Sequence, residues 1–186
     1  MELTNRETWA ALHGIILGGA FLLAFAGGLA GLWSLRPEWV TVQGLQERMN
    51  RLRLGVFSMA AVAWLTVATG TWIVYPWYRA APPADVLELE GPEKLEALEK
   101  YPRSLLLEQA DTDQWHKFGM EWKEHIAWVS PILATAVAFI VLYYGKQLIV
   151  DKNLRYASIV LWILAFSAAA VAGLLGAFIT KSAPIQ

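Results

Sequence analysis

The sequence predicts an all-α integral membrane protein, a four-helix bundle with both termini on the outer, periplasmic side. Three observations carry that expectation. The chain of 186 residues is 56% apolar and only 17% charged, whereas a soluble domain averages about 25% charged. The charges are also partitioned. Residues 9–35, 54–78, 126–145 and 156–180 contain none, and each run reaches the roughly 20 residues that cross a bilayer core as a helix. Finally, the runs are continuous and rich in Leu, Ala and Ile, unlike the alternating strands of about ten residues that build membrane barrels.

Helix one is expected over about residues 5–35. Thr4 and Glu7 stand three apart, the spacing at which each side chain satisfies a free donor of the first turn. No basic segment precedes the run, and its length exceeds the apolar core of a cleavable signal, so this helix is expected to stay in the protein. Helix two is expected over about 52–78, helix three over 113–146 and helix four over 154–181, all within a single membrane domain, 1–186. Trp9, Trp33, Trp39, Trp77, Trp115, Trp122 and Trp128 lie near the ends of the runs, where an aromatic belt meets the membrane boundary. Pro131 is expected to kink helix three or to mark its entry.

The connections differ in charge. Arg36, Arg48, Arg51 and Arg53 lie between helices one and two, and Lys146, Lys152 and Arg155 between helices three and four. From residue 79 to residue 124, eleven acids face six basic residues. Basic short loops stay in the cytoplasm, which places both termini and the acidic loop outside and suggests a bacterial inner membrane. The loop, about 79–112, is expected to carry a short helix near 92–100. Pro92 would occupy its first turn, and Tyr101-Pro102 would end it, because a residue before Pro avoids the α region. This piece is expected either to lie on the membrane or a partner or to be a solvated connector.

Composition excludes several functions. Without Cys there is no disulfide, thiolate metal site, iron–sulfur ligand or c-type haem attachment. A net charge of −1 gives no nucleic-acid footprint. The middle of every run is uncharged, which disfavours ion-coupled transport.

The remaining chemistry rests on few groups. His13 is the only strongly polar titratable residue inside the four runs, and His125 directly precedes the third. An ionisable residue within a span is a functional hypothesis by default. Helices one and three start on the same side, so both imidazoles lie at a similar depth, with an offset of about 7 Å at 1.5 Å per residue. Gly14, Gly18, Gly19, Gly27 and Gly28 leave helix one with little bulk, which permits close approach. In this layout the chain resembles the four-helix membrane b-type cytochromes as a class. The resemblance implies one b-type haem held in the bundle core by His13 and His125. Gly14 and Gly18 would give it room, and Arg79 and Lys123 would stand near its propionates. Arg6, Lys117 and Trp77 lie at the same level. The expected activity is electron relay between an outward redox partner and quinone or another membrane cofactor.

Other readings stand beside it. Taken singly, each His is more often a hydrogen-bonded interface residue than a ligand. His116 lies nine residues from His125, on the opposite helix face and about 13 Å away along the axis, and is expected at the interface. Glu121, one turn before His125, is a candidate hydrogen-bond partner for it or a local partner of Lys117 or Lys123. A carboxylate–His metal cluster ranks below haem, because the residue three before His125 is Trp122 rather than Glu. Tyr75, Tyr78, Trp72, Thr69 and His13 are candidates to line a quinone cleft. The reading from a different class is a cofactor-free structural subunit of a larger respiratory or photosynthetic complex. Its small-residue faces, at 27–31 and 168–176, would pack against other subunits.

Overall fold

A computed structural model describes residues 3–39 and 41–184, without the side chains of residues 42 and 43. The described chain is all-α. Helix α1 spans Asn5–Ser34, α2 Gly44–Tyr78, α3 Ala84–Leu87, α4 Gly91–Leu98, α5 Pro102–Glu108, α6 Trp115–Tyr144, α7 Gln147–Val150 and α8 Lys152–Ser182. Helices α1, α2, α6 and α8 are long and apolar enough to cross a membrane. Many large apolar side chains on them are exposed, among them Leu23, Leu54, Phe139, Tyr143 and Leu174. In a soluble protein this much apolar surface would be a liability. On spanning helices it is the surface offered to lipid.

The capping box forms at the start of α1. The Glu7 amide donates to Thr4 Oγ1 at 3.2 Å, and the Thr4 amide donates to Glu7 Oε2 at 2.7 Å. Helix α2 begins well before residue 52. Its first turns carry Glu47, Arg48 and Arg51, with Arg51 paired to Glu47 at 2.5 Å. The chain is helical on both sides of the charge boundary, because charged residues at i, i+4 spacing favour helix as well as apolar ones do. Helix α6 continues through Pro131 without a break.

Residues 79–112 hold three short helices where one was expected. Gly91 takes φ +63° at the start of α4, a left-handed conformation that suits glycine. After Tyr101, Pro102 opens α5, and Leu106 from the Leu105–Leu107 triplet is fully buried. Lys94 and Glu108 join α4 to α5 at 2.9 Å. The segment therefore packs on itself and on the start of α6.

The residues pack as two compact units. The first comprises residues 3–16, 68–126 and 171–184, and the second Leu17–Val67 and Ala127–Ala170. In the first, Tyr78, Leu106, Met120, Ile179 and Ala183 form the core. In the second, Leu32, Leu52, Val56, Met59, Val137, Val141 and Trp162 are fully buried.

The second unit shows why α1 is glycine-rich. A Cβ on Gly28 would lie 2.3 Å from Trp162 Cζ2, and a Cβ on Gly55 would lie 2.9 Å from the Gly28 amide nitrogen. The backbones of α1 and α2 thus cross in close contact, with the Trp162 indole laid on the same glycine. Small residues permit such crossings in a membrane, where packing rather than water drives helix association. The indole Nε1 donates to the Phe25 carbonyl at 3.0 Å. Part of the 27–31 stretch is therefore spent inside this chain, whereas a Cβ on Gly27 would meet nothing within 4 Å.

At one end of the second unit, Arg155 is 7% exposed. Its Nη1 donates to the carbonyls of Leu35 at 3.1 Å, Leu148 at 2.9 Å and Ile149 at 2.9 Å. Carbonyls at helix ends lack helical partners, and this guanidinium supplies them.

Candidate functional site

The polar side chains of interest gather in the first unit, and there the helices depart from regular α geometry. Leu12–Ile16, Gly70–Val74 and Trp115–Met120 are π-helical turns within α1, α2 and α6. Such turns put one extra residue into a helix, re-aim the side chains around it and are frequent at functional sites. His13 lies in the first of them, Thr69 and Gly70 at the second, and His116 in the third.

His13 is half-buried. Its Nδ1 lies 3.0 Å from Thr69 Oγ1, and its ring rests against Gly70, where a Cβ would come within 2.9 Å of Cε1. The π turn of α1 and the glycine of α2 together bring the imidazole against the neighbouring helix, with Cε1 nearest to Gly70. Cβ atoms built at Gly14 and Gly18 would meet nothing within 4 Å, so the surface beside His13 on α1 has little bulk.

His125 is exposed and shares its face of α6 with the exposed Phe118 and Trp122. It is not buried in a core, as the sequence reading expected of a haem ligand. Its Nδ1 lies 2.6 Å from the Glu121 backbone carbonyl. A carbonyl only accepts, so Nδ1 donates, and in the neutral ring Nε2 carries the lone pair. The partner of His125 is therefore the backbone of Glu121 and not its carboxylate. Lys117 pairs with Asp113 at 2.5 Å rather than with Glu121, and this bond holds the Asp113 carboxyl below its ordinary range.

His116 departs from its expected interfacial position. It is 8% exposed and sits in a cluster drawn from three helices. Its Nδ1 lies 2.9 Å from the Tyr78 hydroxyl, and Arg103 Nε donates to its Nε2 at 3.2 Å. Arg103 can only donate, so Nε2 accepts and Nδ1 carries the hydrogen. Both ring nitrogens are engaged within the protein. Arg103 reaches this position from α5, a helix that the sequence reading did not expect.

The two expected propionate partners are placed differently. Arg79 is exposed, with Nη1 donating to the Tyr75 hydroxyl at 2.6 Å, a contact that raises its pKa further and keeps it cationic. Lys123 lays its stem along α8, with Cε 3.1 Å from the position of a Cβ on Gly176. Beside it, Glu124 Oε1 is buried with no hydrogen-bond partner, and the Glu124 carboxylate bears on the Tyr75 hydroxyl. Among the described residues, no group of three or more His, Asp or Glu is arranged to hold a metal ion.

His13 and His125 each have Nδ1 in a hydrogen bond, an arrangement that fixes ring orientation, and His116 is held through both of its nitrogens. No family model matches this chain, and no curated protein or solved structure is significantly similar to it.

Proposed function

We propose that this chain is a membrane electron-transfer subunit that holds one b-type haem through His13 and His125. It would relay electrons between an outward redox partner and quinone or another cofactor in the membrane. In this reading the four spans form a bundle with both termini outside, in a bacterial inner membrane. The observation that supports the proposal is that His13 and His125 each have Nδ1 in a hydrogen bond, the arrangement that orients a ligating imidazole. Nδ1 of His13 lies against Thr69 Oγ1, and Nδ1 of His125 donates to the Glu121 carbonyl.

A bound haem supplies a one-electron couple, which the protein tunes through ligands, hydrogen bonds and burial. The chain's own residues have definable parts. Thr69 and Gly70 fix the plane of the His13 imidazole. The Glu121 carbonyl sets the tautomer of His125 and raises the basicity of its Nε2. Arg79, held by Tyr75, keeps a positive charge available to a carboxylate at the outer boundary. The exposure of His125 leaves one side of the site to lipid or to another subunit of a redox complex, which suits a relay that hands electrons across a subunit boundary.

The test is haem content per chain by pyridine haemochrome assay, after expression with haem supplied. Wild type should retain one haem. His13→Ala and His125→Ala should each lose it, and His116→Ala should keep it. Absence of haem from the wild type, or retention by both ligand variants, refutes the proposal.

A further inference from the structure

One cavity lies in the second unit, apart from the histidines. It is an open depression of about 380 Å³ lined by Arg36, Glu38, Trp39, Lys152, Arg155 and Tyr156. These residues come from the link after α1, the turn Pro37–Trp39 and the start of α8. By sequence this is a membrane boundary, because the first charge-free run ends at Leu35 and the fourth begins at Tyr156.

Its chemistry is that of an anion site. Three cations face a single carboxylate, Glu38. The Arg36 guanidinium lies 4.3 Å from the Trp33 ring centroid and 4.9 Å from that of Trp39. Guanidinium stacked on aromatic faces keeps its N–H edge for a planar or tetrahedral oxyanion. The Lys152 ammonium lies 5.6 Å from the Tyr156 ring centroid, a weaker contact on a flexible stem. Arg155 is more than nine-tenths buried, and its three carbonyl bonds all leave from Nη1. The first turn of α8 is capped by Asp151, whose Oδ1 accepts from the Leu154 amide at 2.9 Å, so the positive charge of the site comes from the three side chains. A buried guanidinium, two further cations and two indole or phenol rings at a bilayer boundary match what an anionic lipid headgroup requires: charge for the phosphate and amphipathic rings at headgroup level.

We infer that this cavity binds the phosphate of an anionic lipid headgroup. The phosphodiester would lie among Arg36, Lys152 and Arg155, with Trp39 and Tyr156 flanking the glycerol. The shared chemistry is that of a phosphate oxyanion, for which free inorganic phosphate is the competing source. The inference is independent of haem.

The experiment uses the full chain in phosphatidylcholine nanodiscs containing a minor fraction of phosphatidylglycerol. Lipids retained after mild detergent extraction are counted by native mass spectrometry. Wild type should retain phosphatidylglycerol in preference to phosphatidylcholine. Arg36→Gln and Lys152→Gln should each lower that preference about fivefold, the effect of one boundary cation. Lys152→Arg should preserve it. Arg51→Gln, which removes an exposed cation paired with Glu47, should leave it unchanged. A thermal melt of each variant confirms that it is folded. A second arm adds millimolar inorganic phosphate, with sulfate as control. Persistence of the preference supports the lipid. Its selective loss to phosphate makes a soluble phosphate the ligand and overturns the lipid assignment. Equal retention of the two lipids, or a preference indifferent to Arg36→Gln and Lys152→Gln, overturns the site.

Discussion

Gly28→Ala should be among the most damaging single-methyl changes in this protein, and the adjacent Gly27→Ala nearly silent. The added Cβ at position 28 would stand 2.3 Å from Trp162 Cζ2 and 2.8 Å from Cε2. Carbon atoms at optimal contact are about 3.5–4.0 Å apart, so the indole must retreat by about 1.2 Å or α1 must move away. Trp162 has little room, because it is fully buried and its Nε1 is bonded to the Phe25 carbonyl. Moving α1 would open the crossing where a Cβ on Gly55 would already touch the Gly28 backbone. Overpacking of this kind costs about 1–3 kcal/mol, and a weakened buried hydrogen bond adds about 0.5–1.5 kcal/mol. The expected loss is about 2–4 kcal/mol. At position 27 nothing lies within 4 Å of the new methyl, and surface changes of this type stay within about 0.5 kcal/mol. The assay is reversible unfolding in mixed micelles against the mole fraction of denaturing detergent, followed by circular dichroism. Equal unfolding of the two variants would refute the helix crossing described for this unit.

Three further outcomes are expected. Arg155→Met should destabilise the fold by about 2–3 kcal/mol, because hydrogen bonds to a charged donor are worth more than neutral ones and three end carbonyls lose theirs; the same unfolding assay reads it, and a loss below about 0.5 kcal/mol contradicts the bracing role. Gly70→Ala should cost little stability, since the clash at 2.9 Å falls on a rotatable imidazole, yet it should turn the His13 ring and lower haem retention in the pyridine haemochrome assay. Unchanged retention would detach His13 from the proposed site. Tyr78→Phe should cost about 1–3 kcal/mol by leaving the buried Nδ1–H of His116 without an acceptor, while leaving haem retention unaffected, which separates the structural histidine from the two proposed ligands.

How far the sequence was legible follows from which interactions are local. The four long apolar helices were readable because a bilayer excludes charge, a rule that acts residue by residue. The Thr4–Glu7 cap and the Gly91-Pro92 helix start were readable for the same reason, since each is decided within four residues. The start of α2 was misjudged because freedom from charge marks a membrane segment and not the helix that contains it. Helix α5 was missed because Pro102 was taken only as the stop of the preceding helix, although Pro suits a first turn equally well. The burial of His116 was illegible. Its neighbours Gln114 and Lys117 suggested a boundary position, and its partners Tyr78 and Arg103 reach it only through tertiary packing. The exposure of His125 was missed in the opposite direction, since one histidine beside an apolar run does not state which face it takes. The glycines of α1 were visible, but nothing local distinguished Gly28, which meets Trp162, from Gly27, which meets nothing.

The reduced-minus-oxidised absorption spectrum of the purified, haem-replete protein bears most directly on the central claim. Two imidazole ligands predict a six-coordinate, low-spin b-type spectrum with a sharp Soret and α band, abolished or converted to a high-spin form by His13→Ala or His125→Ala. A chain purified with haem supplied that shows no such bands, or one whose bands survive both substitutions, would contradict it.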